Sequence, residues 1–339
     1  MTAYFIRRFL LVLPTFIGIT LMVFVITRFV PGGPIERMIM QAQAAQQQRG
    51  VVTEAGRNPF SEEQLQQLRE YYGFDKPVPV AYVLWLKNVL MLNLGTSTRY
   101  SEPVWQTIRE RLPVSLFYGL ATMILIYGVC IPLGIIKAIN HNTSIDHISS
   151  VLVFIGYAVP GFVVGILLII LFAATWEFFP LSGFVSDGFE DLGFFGKLGD
   201  LLHHAVLPLI AYLSGSFAVM TFMMKNSLLE NLAADYIRTA MAKGVPFKLA
   251  VFRHAFRNSL IPIATTFGEN ISFFLAGSFL IEKVFNIDGF GLLGYESLVE
   301  RDYPVVMGIL AITAFLYLVG NILSDLCVAA IDPRVKFGS

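Results

Sequence analysis

Along its length this chain alternates long apolar blocks with charged, turn-rich stretches. Six blocks stand out, at 9–27, 112–136, 148–176, 205–224, 259–281 and 303–324. As helices, each could cross a hydrocarbon core of about 30 Å, and all but 259–281 lack Asp, Glu, Lys and Arg. The pattern predicts an all-α membrane protein with six transmembrane helices. A signal peptide is the competing reading of the first block, but the block is too long and no small-x-small cleavage site follows, so a retained helix is expected. Pro31-Gly32-Gly33-Pro34 ends it, and a polar region then runs to Arg111. There, Ser61 with Glu63 and Gln64 marks a capped helix start, and Leu65, Leu68, Tyr71 and Tyr72 recur at helical spacing and should pack. The Gln-rich stretch within 41–56 is expected to be disordered.

One charged stretch is strongly patterned for helix. Residues 225–258 contain Asp235, placed as an N-cap, a helix expected from Tyr236 to Lys243, and Gly244 where a left-handed C-cap belongs. Lys243 in the last turn suits the helix dipole. Pro246 follows at the expected first position of a second helix, on which Phe247, Ala250, Val251, His254 and Asn258 share one side. This predicts a short helix, a bend, and a second helix leading directly into the block that begins at Ser259.

Composition sharpens the class. Hydrophobic residues make up 55% of the 339, charged residues 14%, and mean hydropathy is +0.67, too apolar for a soluble globular chain. A net charge of zero argues against a nucleic-acid partner. Charge also orients the chain. Residues 225–258 carry six Lys or Arg against Glu230 and Asp235, whereas 177–204 have only Lys197 against five acids and 284–302 only Arg301 against four. The positive-inside rule places 225–258 in the cytoplasm, together with both termini. The first loop has nine basic residues, but a loop of that length translocates regardless of charge.

Catalytic chemistry has no foothold in these motifs. A P-loop, G-x-S-x-G, H-E-x-x-H and CxxC are all missing from the sequence. Cys130 and Cys327 lie in apolar runs as small core residues, and His203-His204 reads as an interfacial feature rather than a metal site. Ionisable residues within or beside the blocks are Arg28, Glu269, Glu282 and Asp325. Three lie near block ends, where a side chain can reach the interface. Glu269 lies about ten residues in, so it either lines a polar path or pairs with a neighbouring helix.

The run Asp235-Tyr236-Ile237-Arg238-Thr239-Ala240-Met241-Ala242-Lys243-Gly244, followed by His254, Arg257, Asn258 and Pro262, resembles the cytoplasmic loop of binding-protein-dependent ABC importer permeases. It is most similar to the dipeptide, oligopeptide and nickel branch, from which Met241 departs by replacing an Arg. Further matches include Arg7-Arg8, Pro14-Thr15, Tyr72-Gly73-Phe74-Asp75-Lys76-Pro77, Gly289 to Gly294, Arg301-Asp302-Tyr303-Pro304-Val305 and Asp332-Pro333-Arg334. The form of several narrows the resemblance to the importers of oligopeptides and microcin C in Gram-negative bacteria.

The resemblance implies a type I importer permease in the bacterial inner membrane: residues 1–30 as first helix, 31–111 as periplasmic loop domain, 112–329 as a five-helix permease core and 330–339 as cytoplasmic tail. It implies a homologous second permease, two cytoplasmic ATPases that carry the ATP and magnesium, a periplasmic solute-binding protein, and a peptide cargo. This chain itself would bind no cofactor or metal. ATPase coupling would fall to Asp235, Tyr236, Arg238, Thr239, Ala240, Ala242, Lys243, Gly244, His254, Arg257, Asn258 and Pro262. Two other readings stay open: a lipid-facing amphipathic segment at 225–258, and a standalone transporter or channel that uses Glu269 as an ion or proton site.

Overall fold

A computed structural model describes residues 2–29, 33–48, 59–71 and 73–332; its regular elements there are helices, and the β-structure among the described residues is one isolated bridge, Thr96 to Pro103. The N-terminal helices are α1 Thr2–Phe29, α2 Pro34–Gln48, α3 Glu62–Tyr71 and α4 Val78–Leu90. They are followed by α5 Val104–Ile139, α6 Ser144–Ala158, α7 Gly161–Leu168 and the 40-residue α8 Phe194–Ala233. Short helices come next: α9 Asp235–Ala242, α10 Phe247–Ala250, α11 Phe256–Ser259, α12 Ile261–Thr265, α13 Phe267–Leu275, α14 Phe279–Val284 and α15 Phe290–Val299. The last is α16, Tyr303–Ile331.

Among the described residues, four helices are long and apolar enough to cross a membrane: α5, α8, α16 and the Ile6–Phe29 part of α1. A fifth crossing would need α6 together with α7 and its π-helical extension Ile169–Thr175, which are bent by 95° at Pro160. The expected continuous helix at 259–281 is replaced by α11 to α14. Hydropathy reports what surrounds a segment, not whether its hydrogen-bond ladder is continuous, and this segment holds Pro262, Gly268 and Gly277, the last at φ +73°. Another helix repairs the break. The Ser324 hydroxyl of α16 lies 2.7 Å from the Ala264 carbonyl and 3.3 Å from the Gly268 amide.

Two compact units partition the chain. The larger comprises Met1–Leu10, Arg111–Leu292 and Leu316–Ser339. Its main core joins Ile126, Cys130, Met224 and Leu228 of the long helices to Ile237, Ala250, Val251 and Ala255 of the short ones. Gly134 permits the α5–α8 approach, since a β-carbon there would stand 2.6 Å from Met224 Cβ. The α13–α16 crossing is tighter still: a β-carbon on Gly268 would collide with the Gly320 carbonyl. Asp325, expected at a block end, is 2.8 Å from Arg8 Nε.

The smaller unit comprises Leu11–Glu110 and Leu293–Phe315. Ser61 and Gln64 form the expected capping box, with Gln64 N donating to Ser61 Oγ at 3.2 Å and Ser61 N to Gln64 Oε1 at 2.9 Å. Leu65 and Leu68 are half-buried on α3, while the Tyr71 side chain and Tyr72 lie outside what is described. Residues 41–48 continue α2 rather than being disordered, as the good helix propensity of Gln and Ala allows; 49–56 are outside the described residues. Asp302 is fully buried and accepts from Ser97 Oγ (2.5 Å) and the amides of Thr98 (3.2 Å) and Arg99 (3.1 Å).

Candidate functional site

The patterned segment folds as a rooted elbow. α8 runs past its apolar stretch to Ala233, and Ala234 (ψ 146°) breaks it so that α9 can start. Ala234 is the cap and Asp235 the first helical residue, so the helix starts one residue earlier than expected, with Asp235 still near the positive end of the dipole. At the other end the sequence expectation is met. Gly244 has φ +91°, its amide donates to Met241 O (2.9 Å) and the Val245 amide donates to Ala240 O (3.2 Å), a Schellman closure. Pro246 precedes α10 as its cap rather than opening it.

One side of this elbow is anchored. Ile237 is 1% exposed and sits in the main core beside Leu228 and Ala255. Tyr236 Oη donates to Asn231 Oδ1 (2.7 Å) and accepts from Asn258 Nδ2 (3.2 Å), tying α8, α9 and α11 together. Arg257 Nε donates to Ile331 O at 2.6 Å, and the buried Ser259 hydroxyl donates to Ala255 O at 2.8 Å. The opposite side is open. Asp235, Arg238, Thr239, Ala242, Lys243 and Gly244 are exposed, as are the large apolar side chains of Met241, Phe247, Leu249 and Phe252. Ala240, His254 and Pro262 are half-buried. Arg238 is 3.7 Å from Asp235, an exposed pair that adds little stability.

Elsewhere in the larger unit, α5, α6 and α8 share a buried ionic joint that the sequence pattern did not reveal. Asp146 of α6 accepts both Oδ contacts of Lys225 at 2.8 Å and stands 3.1 Å from Lys137 of α5. Lys137 is fully buried and also donates to Ser149 and Ser150 hydroxyls at 2.8 Å each. A lone acid close after Lys137, between apolar blocks, was the available signal. Its second partner is 79 residues away, which no local pattern shows.

The two glutamates in the 259–292 region differ in burial. Glu269 on α13 is exposed, apart from the elbow residues. Glu282, expected to reach an interface, is 1% exposed and accepts from the Leu292 amide at 2.6 Å, with Tyr212 Oη at 3.4 Å. Gly277 and Gly289 have no room for a β-carbon because the Glu282 carboxylate fills that space. Residues resembling a metal centre do not gather among the described residues: His203 contacts the Phe178 carbonyl (2.8 Å), and no group of three or more His, Cys, Asp or Glu could hold an ion.

Residues 130–337, more than half the chain, match the family described as binding-protein-dependent transport system inner membrane component, and the elbow lies within the match. The chain belongs to this family. It is a permease component, not an enzyme. Relatives extend the likeness to both ends. An inner membrane ABC transporter permease protein, YejB, of Escherichia coli O157:H7 is 38% identical, covering 99% of each chain. The oligopeptide transport system permease protein AppB of Bacillus subtilis is 35% identical, covering 99% of this chain and 100% of its own. The dipeptide transport system permease protein DppB of Escherichia coli K12 is also 35% identical, over 99% of each. These likenesses do not favour a standalone transporter built on Glu269.

Proposed function

We propose that this chain is the membrane-spanning permease subunit of an ATP-driven importer of peptides, and that the α9 elbow receives the movement of a cytoplasmic ATPase. The supporting observation is the two-sided elbow: Ile237, Tyr236 and Asn258 fix it to the bundle, while Arg238, Met241, Lys243 and Phe247 are offered outward. A rigid element so tied can carry a displacement into the bundle, whereas a loop held only at its ends would absorb it. Peptide as cargo is taken from the names of the oligopeptide and dipeptide relatives.

In this reading the bent α6–α7 pair and the α11–α14 series are broken crossings, giving six passes with both termini inside. Residues 31–111 lie on the outer face. The elbow side chains Asp235 to Gly244, with His254 and Arg257, meet one of two ATPases, which hold ATP and magnesium. A homologous permease completes the path, with Glu269 facing it or the path, and an outer solute-binding protein delivers cargo.

The test is purification of the chain from its native membranes followed by reconstitution. A second permease and ATPases should co-elute, and proteoliposomes of that complex should take up labelled oligopeptides only with ATP. Uptake by the chain alone without ATP would return the standalone transporter. For orientation, a reporter active only outside the membrane should work after Gln48, Asp191 or Glu296 and be silent after Leu229. Activity after Leu229 would invert the topology.

A further inference from the structure

The smaller unit contains a cavity of about 560 Å³ between the last turn of α1, the middle of α4 and the first turn of α16. Its walls combine Phe24, Trp85 and Met307 with two cations, Arg28 and Lys76. Arg28 is fixed in place: Nη2 donates to the carbonyls of Gly73 (2.9 Å) and Lys76 (2.8 Å), and the guanidinium lies 5.0 Å from the centroid of the Phe74 ring. Among the described residues neither cation forms an ion pair with a carboxylate; Glu70, also on the wall, is contacted instead by Gln66 at 3.4 Å. The cavity thus presents excess positive charge above an apolar floor.

Its setting narrows what can enter. Phe24 to Arg28 end one crossing helix and Tyr303 to Met307 begin another, so the cavity lies at the level where apolar spans give way to polar chain. Phe24, Trp85 and Tyr303 supply the aromatic residues expected at such a boundary. α4 has 13 residues, about 20 Å and too short to cross, yet it leaves Val80, Val83, Leu84 and Leu90 exposed. An apolar face on a short helix beside two crossing helices is suited to acyl chains, not to water.

We propose that this cavity holds an anionic glycerophospholipid, its phosphate between Arg28 and Lys76 and its first acyl carbons along Phe24, Trp85 and Met307. The binding rests on α1 and α16 crossing the bilayer and is independent of the cargo. A soluble peptide would use Glu70 for its amino group, but it would leave the apolar floor and the open face of α4 unexplained.

Trp85 is the reporter. In a Trp105→Phe, Trp176→Phe background it is the single tryptophan, and the full chain is reconstituted with lipids brominated on the acyl chain. Dibromo-phosphatidylglycerol should quench Trp85 at a several-fold lower mole fraction than dibromo-phosphatidylcholine, by roughly five-fold per cation. Arg28→Gln with Lys76→Gln should erase the preference. Equal quenching by the two lipids in the parent, or a preference that survives both substitutions, overturns the proposal. Relief of quenching by millimolar inorganic phosphate would identify a soluble-anion site, and relief by a tripeptide a cargo site; either overturns it as well. Should Arg28→Gln fail to fold because the Gly73 to Lys76 turn is lost, Lys76→Gln alone, on an exposed side chain, should still remove about half of the preference on a logarithmic scale.

Discussion

Asp146 and Asp235 are both aspartates near basic side chains in the same region of the larger unit, and they do opposite things. Asp146 is 2% exposed and closed in by Lys137 and Lys225, whereas the Asp235 side chain is 96% exposed with Arg238 at 3.7 Å. The buried aspartate compensates two ammonium groups that cannot reach water. The exposed one loses little when its partner turns away, because water solvates both charges. Burial, not residue type, decides which aspartate the framework depends on.

That contrast can be broken by substitution. Asp146→Ala should be the most damaging, leaving Lys137 and Lys225 buried without a counter-charge at a cost of about 3–5 kcal/mol. The midpoint of thermal unfolding in detergent, followed by size-exclusion elution, reads this, and a melting curve equal to the parent's would show the joint to be dispensable. Glu282→Ala comes next. It strands the Leu292 amide and opens space between Gly277 and Gly289, for about 1–3 kcal/mol, while Glu269→Ala in the same assay should leave the midpoint unchanged. If the two midpoints fall together, burial is not what distinguishes these carboxylates.

A smaller effect on stability but a large one on transport is expected of Gly244→Val. A β-branched residue at φ +91° should cost on the order of 1 kcal/mol or more. Insertion should stay near normal while ATP hydrolysis is no longer matched by peptide uptake. Full uptake with normal ATPase capture would leave the elbow as a lipid-facing segment. Smallest of all, Arg238→Ala should leave the melting curve unmoved and weaken only the pull-down of ATPase from the same membranes. A destabilised Arg238→Ala protein would mean that the open side is not open.

Legibility followed the range of the interactions. The Gly244 closure and the Ser61–Gln64 box were readable because each is completed within six residues, where spacing is geometry. The capping assignments of Asp235 and Pro246 were one residue off, since Ala234 and Pro246 both take extended ψ values before a helix and the sequence names only the better capping side chain. The division of 259–281 was not readable at all: a hydroxyl on Ser324 and the lack of a side chain at Gly320 make the break tolerable, and both lie more than fifty residues away. The same distance hid the joint of Asp146 with Lys225 and the contact of Glu282 with Tyr212.

The Gly268–Gly320 crossing has a mechanical consequence. Backbone meets backbone there with no side chain between, so α16 has no cushion along which to slide against α13. Eleven residues further, about 16 Å along the axis, the end of α16 is tethered by Arg257 to the Ile331 carbonyl. With a bare crossing at Gly320 and a tether at Ile331, α16 is held at two points against its own unit, so sliding along its axis is opposed at both.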